Sequence, residues 1–293
     1  MLRNKFLYYG QRLIEKGPFY LAPFSFIYAF IIFCRNELYN RGLLPVYRVN
    51  PTVVSVGNIV AGGSGKTPFV HLLAQQFFGK KIAILSRGYG EMPDEAILLA
   101  RRLPHVQVCV GKDRVALAKQ IEADLIILDD GFQHRRLHRD VDIVLGSRVG
   151  RYLPWGFLRD SPKRVEQADF VFKDELKLKV KRILDLKGNL IPSIQGWKVG
   201  IFCGIAHPEN FRKTVEAMGA EVVAEQFFAD HEMAPLNKLP KTDVLICTEK
   251  DFVKLPATNL PIYFLEMEME FVGDPKCWEK MIDKISQKID NRD

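Results

Sequence analysis

The clearest pattern in the chain is a set of short apolar runs that do not alternate with polar residues. After Pro51 these are Thr52–Val56, Lys81–Leu85, Val106–Val110, Leu125–Leu128 and Val141–Leu145. Runs of this length without alternation suit strands covered on both faces, as in a parallel sheet. Between them, Pro68–Phe78 carries apolar residues at helical spacing, and Val115–Ile121 reads as a connecting helix. Strands alternating with helices predict an open, mostly parallel α/β sheet. The pattern shifts near Pro154–Pro162. Phe170–Phe172 is one more strand, and the charge-rich Asp174–Lys187 reads as a hairpin or ribbon around Gly188-Asn189. A fresh α/β series follows: strands at Lys198–Ile201, Glu221–Val223, Val244–Thr248 and Ile262–Phe264, and a helix at Asn210–Met218. Pro275–Ile289 reads as a final amphipathic helix. The expected organisation is an N-terminal helical segment (1–50), an α/β core (51–165) and a smaller α/β domain (166–293), with helix 275–289 a candidate to dock on the core.

The N-terminal segment breaks the pattern. Pro18–Cys34 reads PFYLAPFSFIYAFIIFC with no charge, and basic residues flank it. Residues 1–50 hold seven basic side chains against Glu15 and Glu37, a net +5. The whole chain carries +7, so most of its positive excess lies beside its most apolar stretch. A cleaved signal peptide needs small residues after the apolar run, and Phe33-Cys34-Arg35-Asn36-Glu37 does not supply them. Basic flanks and aromatic content suit a helix at an anionic membrane surface. A spanning helix and one lying in the interface both remain open, since the run is slightly short for a span and holds Pro23. At 47% hydrophobic and 26% charged, the chain has the composition of a folded globular protein. Its five cysteines include no CxxC pair, which suggests neither a zinc site nor a disulfide framework, but reduced thiols in a cytosolic setting. The basic balance favours anionic partners, but no nucleic-acid motif accompanies it.

Chemistry concentrates at the ends of two predicted strands. Asn58–Thr67 reads NIVAGGSGKT, following a strand and opening a helix, the setting a phosphate-binding loop requires. Gly62, Gly63, Ser64 and Gly65 would wrap backbone N–H groups around a phosphate. Lys66 would reach the β- and γ-phosphates of a nucleotide and Thr67 would ligate Mg2+. The first glycine of the general loop pattern is Val60 here. The apolar strand at Leu125–Leu128 ends in Asp129-Asp130, the place of a magnesium-holding acid. Ser86-Arg87-Gly88-Tyr89-Gly90 and the segment ending in Arg159-Asp160 sit where strand-end loops build sites.

In this order, SVGNIVAGGSGKTP, LSRGYG, DEAILLA, LDDGFQHRRLHRDVDIV, FCGIAHPENF and TEKDFVKL resemble the lipid A disaccharide 4′-kinase family, over nearly the whole chain. The resemblance implies a P-loop NTPase-type α/β fold with a second, smaller α/β domain and an N-terminal membrane-associated helix. It implies ATP and Mg2+ as cofactors. The acceptor would be the 4′-hydroxyl of an acylated glucosamine disaccharide 1-phosphate. The enzyme would be a monomer at the cytoplasmic face of the bacterial inner membrane, peripheral or monotopic, with no nucleic-acid partner. By motif position, Asp94 would be the catalytic base and His231 its partner. Lys66, Asp130 and Arg159 would complete the catalytic set, with Arg159 facing phosphate charge. Thr67, Asp129, Asp130, Gln133 and Asp160 would hold metal, with His134 in the same region. The family commonly has Glu where this chain has Asp160, and a second histidine where it has Glu232. A cap on the helix through Glu95–Ala100 is the alternative role for Asp94.

Other readings fit less well. A guanine-reading loop would need an Asp at Phe252 in Thr248-Glu249-Lys250-Asp251-Phe252. A nucleic-acid-dependent ATPase rests on charge alone. An inactive membrane adaptor sits badly with Lys66, Thr67 and the paired aspartates.

Overall fold

The computed structural model describes residues 18–61, 65–88, 93–146, 150–229 and 232–292. In chain order the elements are helix α1 (Ala22–Asn40), strand β1 (Thr52–Gly57), α2 (Lys66–Gln76), β2 (Ile82–Ser86), α3 (Asp94–Arg102), β3 (Gln107–Val110), α4 (Arg114–Gln120), β4 (Leu125–Asp129), β5 (Val141–Leu145) and β6 (Phe170–Phe172). Then come β7 (Leu176–Asp185), β8 (Leu190–Ile191), β9 (Lys198–Cys203), α5 (Pro208–Ala217), β10 (Glu221–Phe227), β11 (Leu245–Thr248), α6 (Glu249–Phe252), β12 (Ile262–Phe271) and α7 (Pro275–Asp290). The described residues divide into two units. One lies within residues 18–88, 99–177 and 269–292; the other lies within 93–98 and 178–268.

The first unit is built on a six-stranded sheet in the order β3-β2-β4-β1-β5-β6, every pair parallel. Strands β1, β2 and β4 are buried at every position, as the unalternating apolar runs require, whereas β3 at the sheet edge is half-exposed or exposed throughout. Val54 and Val56 of β1 join one core with Ile82, Ile84, Leu125, Ile127, Val141 and Ile143. The intervening positions Val53, Ala83, Leu85, Ile126 and Leu128 join a second core on the opposite face. The first core is covered by Phe69, Val70 and Leu73 of α2, by Leu99 and by Met281, Ile285 and Ile289 of α7. Val115 and Ala118 of α4, with Leu137, cover the second.

The C-terminal helix is therefore part of the first unit's core. Its three buried residues recur every four positions, the spacing of one helix face. Asp274 caps its start by accepting from Lys276 N at 3.0 Å. Thr52 Oγ donates to Lys288 O at 2.9 Å, tying the helix to the first strand. Arg292 then donates to the carbonyls of Val49, Asn50 and Pro51 at 2.7, 2.6 and 2.6 Å, which fixes the chain's approach to β1.

The second unit carries a sheet in the order β10-β9-β11-β12-β7-β8. Strands β10, β9, β11 and β12 run parallel, and β7 and β8 form the antiparallel ribbon that the Gly188-Asn189 turn predicts. The Asp185 carboxylate closes that turn, accepting from Lys187 N and Asn189 N, both at 2.8 Å. Strand β12 runs to Phe271, well past the expected Ile262–Phe264. Its later residues, Glu266, Met267, Glu268, Met269 and Glu270, alternate charge with apolar character, so no continuous apolar run marks them.

Truncating Ile285 to Ala removes a fully buried side chain between α7 and the sheet. The expected cost is about 2–5 kcal/mol of unfolding free energy, measured by urea denaturation of the purified protein. A loss under about 0.5 kcal/mol, the range of surface substitutions, would mean that α7 does not pack as described.

Candidate active site

Register between β1 and β4 builds the site. Val56 pairs with Asp129, so the two strands end together and their following loops start side by side. Gly131 N donates to Val56 O at 3.0 Å, carrying the pairing one step beyond the strands. A Cβ on Gly57 would lie 2.6 Å from Phe132 Cβ and 2.9 Å from Phe132 N, so only glycine permits the two loops to approach this closely. Two other backbone positions show the same demand. Gly65, which precedes α2, has φ +72°, and Asp130 is the one non-glycine residue with positive φ among the described residues, at 55°. Aspartate tolerates the left-handed region better than most side chains, and such outliers gather at functional sites.

The expected loop residues Gly62, Gly63 and Ser64 lie outside the described residues. Lys66 and Thr67 open α2. Lys66 Nζ stands 3.5 Å from Asp130 Oδ1. The Arg159 guanidinium meets the same carboxylate: NH1 donates to Asp130 Oδ2 at 2.8 Å and NH2 contacts Oδ1. Arg159 NH2 also donates to Asn58 Oδ1 at 2.7 Å, and Asn58 is itself buried. One carboxylate thus aligns two cations that the sequence separates widely. From behind, Arg114 NH1 donates to the carbonyls of Asp129 and Asp130, each at 3.1 Å, and so holds the acidic turn in place.

The segment carrying Arg159 is laced to the residues that follow β1. Arg159 N donates to Ile59 O and Ala61 N to Phe157 O, both at 2.8 Å, and Val60 forms an antiparallel bridge with Leu158. This explains why valine stands where the general loop pattern has glycine. The backbone there is laddered and its side chain packs against Ile59, Phe132, Val144 and Leu158.

The other expected metal residues part company. Asp129 is buried at the end of β4 and Thr67 is buried at the start of α2. Gln133 Nε2 donates to Asn58 O at 2.6 Å, which places it against the same loop. Asp160 has other partners. Its carboxylate is fully buried, pairs with Arg164, and accepts from Asn36 Nδ2 at 2.9 Å and from Ser161 N at 2.8 Å. Among the described residues no group of three or more His, Cys, Asp or Glu side chains could hold a metal ion. Magnesium does not require one, because it keeps several waters and uses one or two carboxylates plus substrate phosphates. Thr67 and Asp129 stand at the ends of α2 and β4, whereas the Asp160 carboxylate is already taken up by Arg164, Asn36 Nδ2 and Ser161 N.

His134 is neutral at ordinary pH. Burial, with Arg114, Arg136 and Arg139 nearby, pushes it down to about 4.

Asp94 belongs to a second cluster, within the second unit. It begins α3 and is 2% exposed. Its Oδ2 lies 3.7 Å from Lys254 Nζ and 3.8 Å from Lys250 Nζ, and its Oδ1 accepts from Glu95 N at 3.0 Å. Lys254, itself buried, is 3.2 Å from Asp251, which accepts from Gly204 N at 3.0 Å and from Thr248 Oγ at 2.5 Å. The motifs FCGIAHPENF and TEKDFVKL therefore meet at a single buried carboxylate. A side chain on Gly204 would lie 2.9 Å from Ala229 O, so glycine is needed there too. His231 lies outside the described residues. The sequence alone assigns no role to Asn58, Arg114, Arg164, Lys250, Asp251 or Lys254. Asn58 and the last three stand in quoted motifs, and that is the available signal.

Helix α1, extended by the single turn before it, makes a continuous segment Phe19–Asn40 that holds an 18-residue stretch of mean hydropathy 1.4, long and apolar enough by length and composition to cross a membrane. Its inner face carries Ala22, Ser25, Ile32 and Asn36, all buried. Its outer face exposes Phe26, Ile27, Phe30, Ile31 and Phe33.

Comparison with known proteins agrees with this geometry. A model of the tetraacyldisaccharide-1-P 4′-kinase family matches residues 18–287. The tetraacyldisaccharide 4′-kinase of Syntrophus aciditrophicus is 33% identical, over 92% of this chain and 93% of its own length. That of Chlamydia abortus is 32% identical over 87% and 88%, respectively. A crystal structure of LpxK from Aquifex aeolicus, an "apo" form in complex with ATP, superposes with a TM-score of 0.78 at 30% identity, covering 92% of this chain and 98% of that one.

Replacing Gly57 by Ala should force the two loops apart. We expect a loss of about 1–3 kcal/mol in stability, as for other overpacked sites, and a fall in turnover that exceeds what the lower melting temperature explains. An unperturbed, fully active Gly57→Ala protein would contradict the close approach of the loops.

Proposed function

The chain belongs to the tetraacyldisaccharide-1-P 4′-kinase family, and from that membership we propose how its own residues carry the reaction. The activity is transfer of the γ-phosphoryl group of ATP to the 4′-hydroxyl of a tetraacylated disaccharide 1-phosphate, a step of lipid A biosynthesis. Such a transfer needs positioning and charge neutralisation more than covalent help from the protein. The observation that carries our reading is the joining of Lys66, at the start of α2, and Arg159 by Asp130.

In this reading Lys66 and Arg159 neutralise charge on the transferred phosphoryl group, and Asp130 fixes their mutual orientation. Side-chain donors aimed where charge develops stabilise a transition state most when they need not reorganise. Arg159 meets that condition, being held at both Asp130 and Asn58. Backbone N–H groups of Gly62, Gly63, Ser64 and Gly65 would cradle the phosphates, helped by the N-terminal end of α2. Thr67 and Asp129 would hold Mg2+, with Gln133 beside them. The ion would neutralise the β- and γ-phosphate oxygens when bound. Asp160 belongs in our reading to the scaffold behind Arg159, not to the metal.

Asp94 is assigned as the base that accepts the proton of the 4′-hydroxyl, with His231 as its partner. Two ammonium groups at 3.7 and 3.8 Å are a setting that favours an ionised carboxylate, the form a base must have.

The acceptor carries acyl chains, and the outer face of α1 suits the surface where such a molecule resides. A row of exposed Phe and Ile side chains is what an interfacial helix presents to lipid. The contacts of the inner face support a helix lying on the surface over one that spans. Ser25, Tyr28 and Asn36 are tied to the kinase unit along the helix's length, and a spanning helix would have to leave that unit behind. A cytoplasmic face follows from the need for ATP.

The test is a kinase assay with ATP, Mg2+ and the tetraacylated disaccharide 1-phosphate. Lys66→Met should lower kcat by about 10²–10³-fold, as loss of a transition-state donor does. Asp94→Asn should lower kcat by about 10²–10⁴-fold, the contribution of a general base, with little change in the KM for ATP. A Lys66→Met enzyme with wild-type turnover would refute the phosphate-loop assignment. An active but less stable Asp94→Asn enzyme would leave Asp94 only as a helix cap.

A further inference from the structure

Helix α1 does more than present an apolar face. Its polar inner side chains all reach one segment, the loop that carries Arg159. Ser25 Oγ donates to Tyr152 O at 2.7 Å. The Tyr28 hydroxyl donates to the carbonyl of Arg159 itself at 3.1 Å. Asn36 Nδ2 donates to Asp160 Oδ1 at 2.9 Å, and Arg35 lies 3.7 Å from the other oxygen of the same carboxylate. Arg35 and Arg135 extend the contact to the acidic-turn side, through Gln133 O at 3.5 Å and Asn36 O at 3.1 Å. Front and back of Arg159 are thus held by different parts of the chain. Asp130 and Asn58 hold the guanidinium, and α1 holds the backbone and the next side chain.

The Asn36–Asp160 contact is not arranged for stability alone. Asn36 is 6% exposed and Asp160 0% exposed, so both were stripped of water. Arg164 supplies the charge partner for Asp160. Asn36 Oδ1 stays buried with no hydrogen-bond partner among the described residues. An orphaned amide oxygen costs free energy. An apolar residue of similar size would dock the helix without that cost. What the amide adds is direction, a single donor aimed at the residue that follows Arg159.

We propose that Tyr28 and Asn36 are positioning residues for phosphoryl transfer, acting through Arg159, so that the lipid-facing helix sets how this guanidinium meets the transferred group. The inference rests on the reading of Arg159 as the phosphate-facing cation. It adds that the helix is a working part of the transfer centre as well as an attachment. Bidentate guanidinium contacts are direction-sensitive, and displacements of about 1 Å can cost about 10²-fold in rate.

The experiment is a double-mutant cycle on the full-length enzyme, assayed with ATP and tetraacylated disaccharide 1-phosphate in mixed micelles. Arg159→Met alone tests the underlying reading: a wild-type kcat would overturn the role of Arg159 independently of the helix. Given a loss there, Tyr28→Phe and Asn36→Leu should each lower kcat by about tenfold, with the KM for ATP unchanged within about twofold. In the Arg159→Met background the same two substitutions should cost less than about twofold, because the group they position is gone. Membrane pelleting should be unchanged in both, while Phe30→Ser, on the outer face, should reduce it. Losses that multiply independently of Arg159→Met would overturn the proposal. So would full activity of Tyr28→Phe, a substitution that keeps the ring and the packing and removes only the hydroxyl.

Discussion

The site depends on the close approach of two backbone turns, Gly57 against Phe132. Parallel pairing of β1 with β4 brings the strand ends level. The missing side chain at Gly57 then lets the acidic turn fold over the start of the phosphate loop. From this contact follow the left-handed Asp130, the reach of Lys66 to its carboxylate, and the ladder that brings Arg159 in from a third segment. None of these groups could meet if the turns stood one side chain further apart.

Charge balance is the second constraint. The motif HRRLHRD and its surroundings gather Arg35, Arg135, Arg139 and Arg164 around few carboxylates. The cost is visible at Arg135, whose guanidinium is pushed down to about 10 by burial and by its arginine neighbours. Asp160 is the main compensation: it pairs with Arg164 and lies close to Arg35. Removing a carboxylate from so cationic a setting would leave buried charge unpaired. That duty accounts for its burial and for our assigning the metal to Thr67 and Asp129. Arg135 NH1 donates to the carbonyl of Asn36 instead.

Much of the fold was legible because it is local. Unbroken apolar runs marked the parallel strands, and NIVAGGSGKT and LDDGFQH marked the two strand ends whose loops meet. What the sequence hid is what depends on distance. Asp160 follows Arg159 and so looks like its functional companion, yet its side chain turns inward to Arg164 and Asn36. In PFYLAPFSFIYAFIIFC, Ser25 and Tyr28 look like minor interruptions of an apolar run. Only their spacing with Ile32 and Asn36 shows that they form one inward stripe. Asp94 and Lys254 lie far apart in the chain, and no local period announces that they meet. Only the first half of strand β12 forms an apolar run, because its second half alternates with glutamates.

The central claim is that Lys66 and Arg159 act as one unit on a single phosphoryl group. The measurement that tests it most directly is kcat for Lys66→Met, Arg159→Met and the double variant with the lipid acceptor. Residues that act together are grossly non-additive. The account predicts that the double variant is within about threefold of the worse single variant. Losses that simply multiply would mean that the two cations serve separate steps, and would contradict the account.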